Sequence, residues 1–330
     1  MKRGIPWDAS FLHFLIGANM SVYIHGGLRI PIGVLNGQYR NMRPEMLGAQ
    51  LINELINRYD ISQVDGIFCG NAVGTGGNIG RLMGLMTNLP NSVPAITVDM
   101  QCASALMSIE MAYTHIASGV MDSAIAGGIE SSSLQPDRMY AAGDNREGLY
   151  KVAQFSPNDC SPLAMLEGAE RTIQKHNVLK EDLYPYIIGS HKRASEALNN
   201  PHLKSYIMPI TIDGKACVDE CIRPKMNEKL LSRMKPLLGK NSITNAGNAC
   251  LTHDGAAFVY VSNEKGPFRI HSIMPWAGNP QFSPEGALES TEAILKRTGL
   301  TMNDIDVVEW NEAFAIIDVL FNKAYPKHLE

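Results

Sequence analysis

The segment Thr97-Val98-Asp99-Met100-Gln101-Cys102-Ala103-Ser104-Ala105-Leu106 turns an extended apolar run abruptly into a helix with a cysteine at its start. Unpaired backbone N–H groups and the macrodipole at a helix N-terminus stabilise negative charge, so a cysteine placed there is an available nucleophile. Small residues at 103 and 105 leave room for a substrate to approach. The same spacing also suits a cysteine packed between strand and helix, and the local pattern does not separate the two readings.

Three further segments bear on chemistry. The glycine-rich run Gly70 to Arg81 invites a nucleotide-loop reading, but a G-x-G-x-x-G pattern begun at Gly74 needs glycine where Ile79 stands, and no G-K-[ST] occurs. A structural or interface loop is the better expectation. Asn245 to Ala257 reads as a loop entering a buried strand, Ala256 to Val261. In Asn311-Glu312-Ala313-Phe314-Ala315, the asparagine reads as a helix N-cap with glutamate in the first turn. His191, His253 and His271 fit no catalytic spacing and are expected to be satisfied or exposed.

These groups must be held by an ordered frame. From Pro44 to Tyr59 the positions Leu47, Leu51, Ile52, Leu55 and Ile56 form the stripe of an amphipathic helix with proline in its first turn. A buried strand at 65–71 follows, then a strand at 95–98, a helix at about 103–118 and a strand at 123–128. Helix followed by buried strand is the grammar of an α/β sheet. It returns near the end, where a helix over 287–297 is stopped by Gly299 and followed by a matching strand, Asp306 to Asn311. Ser21 to Gly27 reads as an opening strand with its turn. Between the halves, prolines and polar clusters over about 131–235 point to an insertion of short helices and loops, with helices at 163–176 and 184–197.

Composition narrows the function class. The 330 residues are 45% apolar and 19% charged, close to globular averages, which argues against disorder, collagen and coiled coil. With 29 basic and 33 acidic residues the net charge is −4, so nucleic acid is not an expected partner. No apolar run approaches the roughly 18 residues a membrane helix needs. Six cysteines without paired C-x-x-C spacing predict neither a disulfide framework nor a metal site, but reduced thiols in a cytoplasmic protein. Residues 1–19 imitate a secretory signal, but His13 interrupts the apolar stretch and no A-x-A site follows, so a leader or extension is expected.

Taken together and in order, five segments resemble the thiolase family, the acyl-CoA acetyltransferases. The Cys102 elbow resembles its nucleophile motif. Ala126-Gly127-Gly128-Ile129-Glu130-Ser131 is similar to its A-G-G-x-E-S strand, and Ala246-Gly247-Asn248-Ala249 with Asp254-Gly255-Ala256-Ala257 to its A-G-N-A-S-x-x-x-D-G-A-A segment. Asn311 to Ala315 resembles its N-E-A-F-A box, and Arg29-Ile30-Pro31-Ile32-Gly33 its R-T-P-I-G opening. The resemblance covers residues from about 20 to about 325.

The resemblance implies that Cys102 takes an acyl group from an acyl-CoA, and that a second acetyl-CoA displaces it in a Claisen condensation, or that the reverse thiolysis cleaves a 3-ketoacyl-CoA. Both steps develop an oxyanion. By the same resemblance, Asn311 holds a water that serves as one oxyanion donor, Arg223 pairs with a CoA phosphate, and Ala249, Cys250 and Phe314 are substrate-binding positions, Cys250 standing where the family usually has serine. No cofactor is implied beyond coenzyme A thioesters as substrates. A homodimer formed through the nucleophile half, or a dimer of such dimers, is implied as well. The family's G-H-P histidine and C-x-G cysteine, its acid–base groups, have no counterpart: Gly-His-Pro is absent and no cysteine follows Cys250. The alternative is therefore a catalytically impaired homologue that binds CoA or a partner without turnover, because loss of general acid–base assistance costs about 10² to 10⁴ in rate. The fold implied is a thiolase-like duplicated α/β arrangement of mixed sheets and helices with an inserted loop domain and a truncated second half. The expected boundaries are an N-terminal domain over 20–130 and 236–265, an insertion over 131–235 and a partial C-terminal domain over 266–330.

Overall fold

The computed structural model describes residues 20–74, 77–151, 154 and 161–327, so the expected leader and Cys160 lie outside the described residues. The chain opens with β1 (Tyr23–Arg29), β2 (Gly33–Val34), α1 (Pro44–Arg58), β3 (Ile67–Gly70), α2 (Ile79–Gly84), β4 (Ala95–Val98), α3 (Ser104–Ala117) and β5 (Ser123–Ser131). The middle holds two small hairpins, β6 (Arg138–Met139) with β7 (Leu149–Tyr150) and β8 (Thr211–Ile212) with β9 (Lys215–Ala216). Around them lie α4 (Ala164–Lys175), α5 (Tyr184–Ala197), α6 (Pro201–Ser205) and α7 (Glu228–Ser232), and the chain closes with β10 (His253–Ser262), β11 (Phe268–Arg269), α8 (Glu285–Thr298) and α9 (Ala315–Ala324).

One mixed sheet organises these elements, in the order β11-β1-β10-β5-β3-β4, with β2 on the end of β10. β3 runs parallel to both β4 and β5, whereas β10 is antiparallel to β5 and β1. Side chains alternate across a strand, and the sheet uses both faces. Ile67, Cys69, Ile125 and Ile129 join Leu47, Leu51, Ile52 and Leu55 of α1 in one core. Phe68, Ala124 and Ala126 join Ala112 and Ile116 of α3 in the other. Because Ser131, at the end of β5, pairs with Asp254 near the start of β10, the chain leaves the sheet after β5 and re-enters it beside the same strand end. A third core lies outside the sheet, where Ile316, Val319 and Leu320 of α9 pack with Ala169 and Ile173 of α4 and Ile187 of α5.

The structure differs from the sequence expectations in three places. β1 does not turn at Gly26-Gly27 but runs on to Arg29, with a register shift between Ile24 and Gly26. Glycine is required there because a Cβ on Gly26 would collide with the Tyr59 ring and one on Gly27 would lie 2.8 Å from Val259 Cγ1. The expected strand Asp306 to Asn311 is not formed: these residues are irregular, Val307 is 78% exposed, and among the described residues no strand lies beside them. The final helix starts at Ala315 with Phe314 at its N-cap position, so neither the Asn311 cap nor a first-turn Glu312 is realised.

Candidate active site

Cys102 is exposed and sits two residues before the first residue of α3. The elbow that presents it is fixed by local bonds. The Met100 backbone N–H donates to Ser104 Oγ at 2.8 Å, the Ser104 hydroxyl donates to the Gln101 carbonyl at 2.5 Å, and the Gln101 N–H donates to Asp99 Oδ1 at 2.9 Å. Gln101 adopts φ 52°, the left-handed region, which is costly for a residue with a Cβ and persists only where its surroundings impose it. Such a turn lifts the following cysteine clear of the strand. The close approach of α3 to the sheet needs Gly70, where a Cβ would lie 2.5 Å from the Ala105 nitrogen.

The glycine-rich loop after β3 has structural partners. Asn71 Nδ2 donates to the Ile129 carbonyl at 2.8 Å and to Glu130 Oε1 at 2.9 Å, and Glu130 Oε2 accepts from Ala72 N–H and Val73 N–H. Arg138 donates to the Val73 and Gly74 carbonyls. Asp254, 1% exposed, accepts from Ser133 N–H at 2.9 Å and from the Ser131 and Ser133 hydroxyls. The Glu130 and Asp254 acceptors therefore tie the ends of β3, β5 and β10 to the loops that follow them.

Two loops are brought to this surface from far along the chain. The Cys250 N–H donates to the Ala313 carbonyl at 2.8 Å and the Ala315 N–H to the Asn248 carbonyl at 3.0 Å, so residues 248–250 and 311–315 form a joined pair. Asp219 takes a bidentate pair of bonds from Arg29, both at 2.8 Å, and another from the Ile32 N–H at 2.7 Å. Burial works against the Asp219 carboxylate, but these donors hold it below its ordinary value. Glu220 accepts from the Val34 and Gln38 N–H groups. Residues 219–220 are thus clamped to the opening strands, which delivers Arg223 to the mouth of the site.

The result is a cavity of about 820 Å³ whose wall includes Cys102, Arg223, Ala249, Cys250 and Asn311. Phe314 is not in that wall: it is 6% exposed and turned into the helical core. Arg223 is exposed and makes no salt bridge among the described residues. Burial, then the charge of Cys102, pushes the Cys250 thiol up, which puts the two sulfurs within electrostatic reach of one another. The Asn311 side chain is exposed and carries no hydrogen bond within the described residues, leaving its amide for a ligand or water.

The chain is similar to known proteins in sequence and in fold. The family profile "Thiolase, N-terminal domain" matches residues 22–265. The chain belongs to the thiolase family. Within that family, a putative acetyl-CoA C-acetyltransferase VraB of Staphylococcus epidermidis is 32% identical over 303 residues, covering 87% of this chain and 78% of the relative. Its counterpart in Staphylococcus aureus is 30% identical over 302 residues, with 87% and 79% covered. The crystal structure of the Bacillus anthracis acetyl-CoA acetyltransferase superimposes with a TM-score of 0.86 at 24% identity, covering 94% of this chain and 84% of that one, which establishes the thiolase fold.

Some cavity residues were not legible from spacing. His191 lies on the wall, accepting the Arg223 N–H at Nδ1, 3.3 Å, and burial followed by the Arg223 charge pulls its pKa down. His253 also lines it, with a buried Nε2 that finds no partner among the described residues. Glu312 and Asp318 complete an acidic corner. The only sequence signal for His191 was its place on a helix of the insertion, and nothing there tied it to a site. His271, by contrast, is exposed as expected.

Proposed function

We propose that the chain is a thiolase-type acyl-CoA acetyltransferase acting through an acyl-Cys102 intermediate. The observation that carries this reading is the exposed cysteine on a strained elbow ahead of α3, opening into a cavity wide enough for a thioester arm. The thiolate of Cys102 attacks the thioester carbonyl, an oxyanion forms on the carbonyl oxygen, and CoA thiolate leaves as the carbonyl is restored. Backbone N–H groups at the start of α3 and a water held by the Asn311 amide are the donors this reading assigns to that oxyanion. Arg223, without a carboxylate partner among the described residues, suits a CoA phosphate, since its planar fork pairs two oxygens at once. Ala249 and Cys250 lie along the pantetheine arm, with a thiol as a weaker donor than the serine usual in the family.

The substrates proposed are acetyl-CoA together with an acyl-CoA or 3-ketoacyl-CoA, in fatty acid metabolism, without a further cofactor. No described helix is long and apolar enough to cross a membrane. The five described cysteines are all free, which supports a reducing, cytoplasmic setting; cell fractionation recovering the protein elsewhere would overturn that part. A homodimer through the nucleophile half is supported by β4 standing at the sheet edge with Ile96 exposed beside exposed Leu82, Leu85 and Met86. Sedimentation as a monomer at working concentration would rule it out. The reaction itself is tested by acetoacetyl-CoA thiolysis in the presence of CoA. Turnover abolished by Cys102→Ala is the expected result, and turnover that survives that substitution overturns the reading.

A further inference from the structure

The elbow that carries Cys102 has a second side. The Ala103 N–H donates to the Met100 carbonyl at 3.1 Å, closing a turn whose central residues are Gln101 and Cys102. Those central residues belong to the wall of the cavity of about 820 Å³. The two ends of the turn, Met100 and Ala103, belong instead to the wall of a separate cavity of about 430 Å³, together with Leu106 and Met107 from the start of α3. Successive Cα atoms are only about 3.8 Å apart, so Cys102 stands on a thin partition with one cavity on either side.

The two cavities differ in chemistry. Arg223, Glu130, Glu312 and Asp318 put charge on the wall of the larger one. The wall of the smaller one holds no charged side chain and is built on Leu106, Met107, Ile273, Met274, Trp276 and Ile294. A phosphate finds no counter-charge there, whereas an alkyl chain needs none. Leu106 is 66% exposed and Trp276 42%, apolar surface that an alkyl chain would take out of water. An acetyl methyl takes roughly the 30 Å³ share of one water and leaves most of the cavity empty, while a chain of about eight to ten carbons fills more than half of it. We propose that the smaller cavity receives the acyl chain of acyl-Cys102, so that medium-chain acyl-CoA thioesters of about eight to ten carbons are the preferred acyl donors. The proposal rests on the acyl-Cys102 reading and names the substrate class within it. Cys102 Sγ bonds to the thioester carbonyl carbon, the bond from that carbon to the CoA sulfur breaks, CoA leaves as thiolate through the charged cavity, and the alkyl tail lies across the elbow in the uncharged one.

Helix α8 offers a way to close the smaller cavity. Gly286, Ser290 and Ile294 follow one another at four-residue steps on one face of α8, and all three line it. A Cβ added to Gly286 would meet nothing within 4 Å. A larger side chain there therefore enters the cavity without displacing its neighbours, and it replaces a residue of poor helix propensity.

The test is the rate of Cys102 acylation by acetyl-, butyryl-, octanoyl- and palmitoyl-CoA, each supplied singly to the full chain and followed by intact-protein mass spectrometry. From acetyl to octanoyl the rate at limiting thioester is expected to rise by up to about fourfold per methylene buried, and to fall again at palmitoyl, whose tail outgrows the cavity. Gly286→Phe is expected to lower the octanoyl-to-acetyl ratio by about tenfold or more, because it takes the space of several methylenes. Ser290→Leu, a smaller block on the same helix face, is expected to lower that ratio by less. A wild-type ratio at or below one, or a ratio that neither variant moves, overturns the acyl cavity and leaves the acyltransferase reading standing. A change in sedimentation of Gly286→Phe with an unaltered chain-length profile assigns the cavity to a protein partner and likewise overturns the proposal. Absence of acyl-Cys102 with every thioester overturns the acyltransferase reading and the acyl cavity with it.

Discussion

Two stretches of the chain carry the same helix-then-strand pattern, and only one of them builds a sheet. In the first, α1 leads to β3, whose Ile67, Phe68 and Cys69 are all within 1% of complete burial, with β5 and β4 bonded on either side. In the second, α8 is closed by Gly299 at φ 74° as its sequence requires, and the apolar run that follows stays irregular. A helix satisfies its backbone internally, whereas a strand needs neighbours to take its N–H and C=O groups. The pattern in sequence is thus a statement about both segments, but the sheet is a statement about company. Cys102 is mounted on the stretch that has it.

Substitutions at matched apolar positions bring this out most strongly. Phe258, on the central strand β10 and 1% exposed, should cost about 3–5 kcal/mol on truncation to alanine, read from denaturant unfolding. A loss under about 1 kcal/mol there would mean the sheet is not the stabilising core. Next in size, Asn311→Ala should lower Cys102 acetylation by about 10²- to 10³-fold, the usual cost of removing an oxyanion donor, while leaving unfolding midpoints in place. A rate equal to wild type would detach Asn311 from the chemistry. Smallest is Val307→Ala in the unformed strand, expected within about 0.5 kcal/mol of wild type because its side chain is already in solvent. A cost comparable to that at Phe258 would show that Val307 is covered in the working protein, and the contrast between the two stretches would fall.

The pattern of what could be read in advance follows from the same distinction. Two helices were legible nearly to the residue: the one expected over 184–197 is α5 as found, and Pro44 opens α1. The Cys102 elbow was legible too, because an apolar strand breaking into small helical residues is local information. Asn311 misled as a cap, since a short side chain before a helix looks the same whether the helix begins at once or at Ala315 after a bridge to Ala249. The far wall of the cavity was hidden altogether. Ser190, His191 and Arg223 line the same cavity as Cys102 because α5 packs on α9 and Asp219 is clamped by Arg29, contacts spanning more than a hundred positions that no spacing rule records. Phe314 carried a family expectation of substrate contact, yet its ring is committed to the helical core.

The account stands or falls on whether Cys102 becomes acylated. Intact-protein and peptide mass spectrometry after incubation with acetyl-CoA is predicted to find one added acetyl group, located on the peptide containing Cys102 and missing from Cys102→Ala. An unmodified Cys102, or an acetyl group that persists in Cys102→Ala, would contradict it.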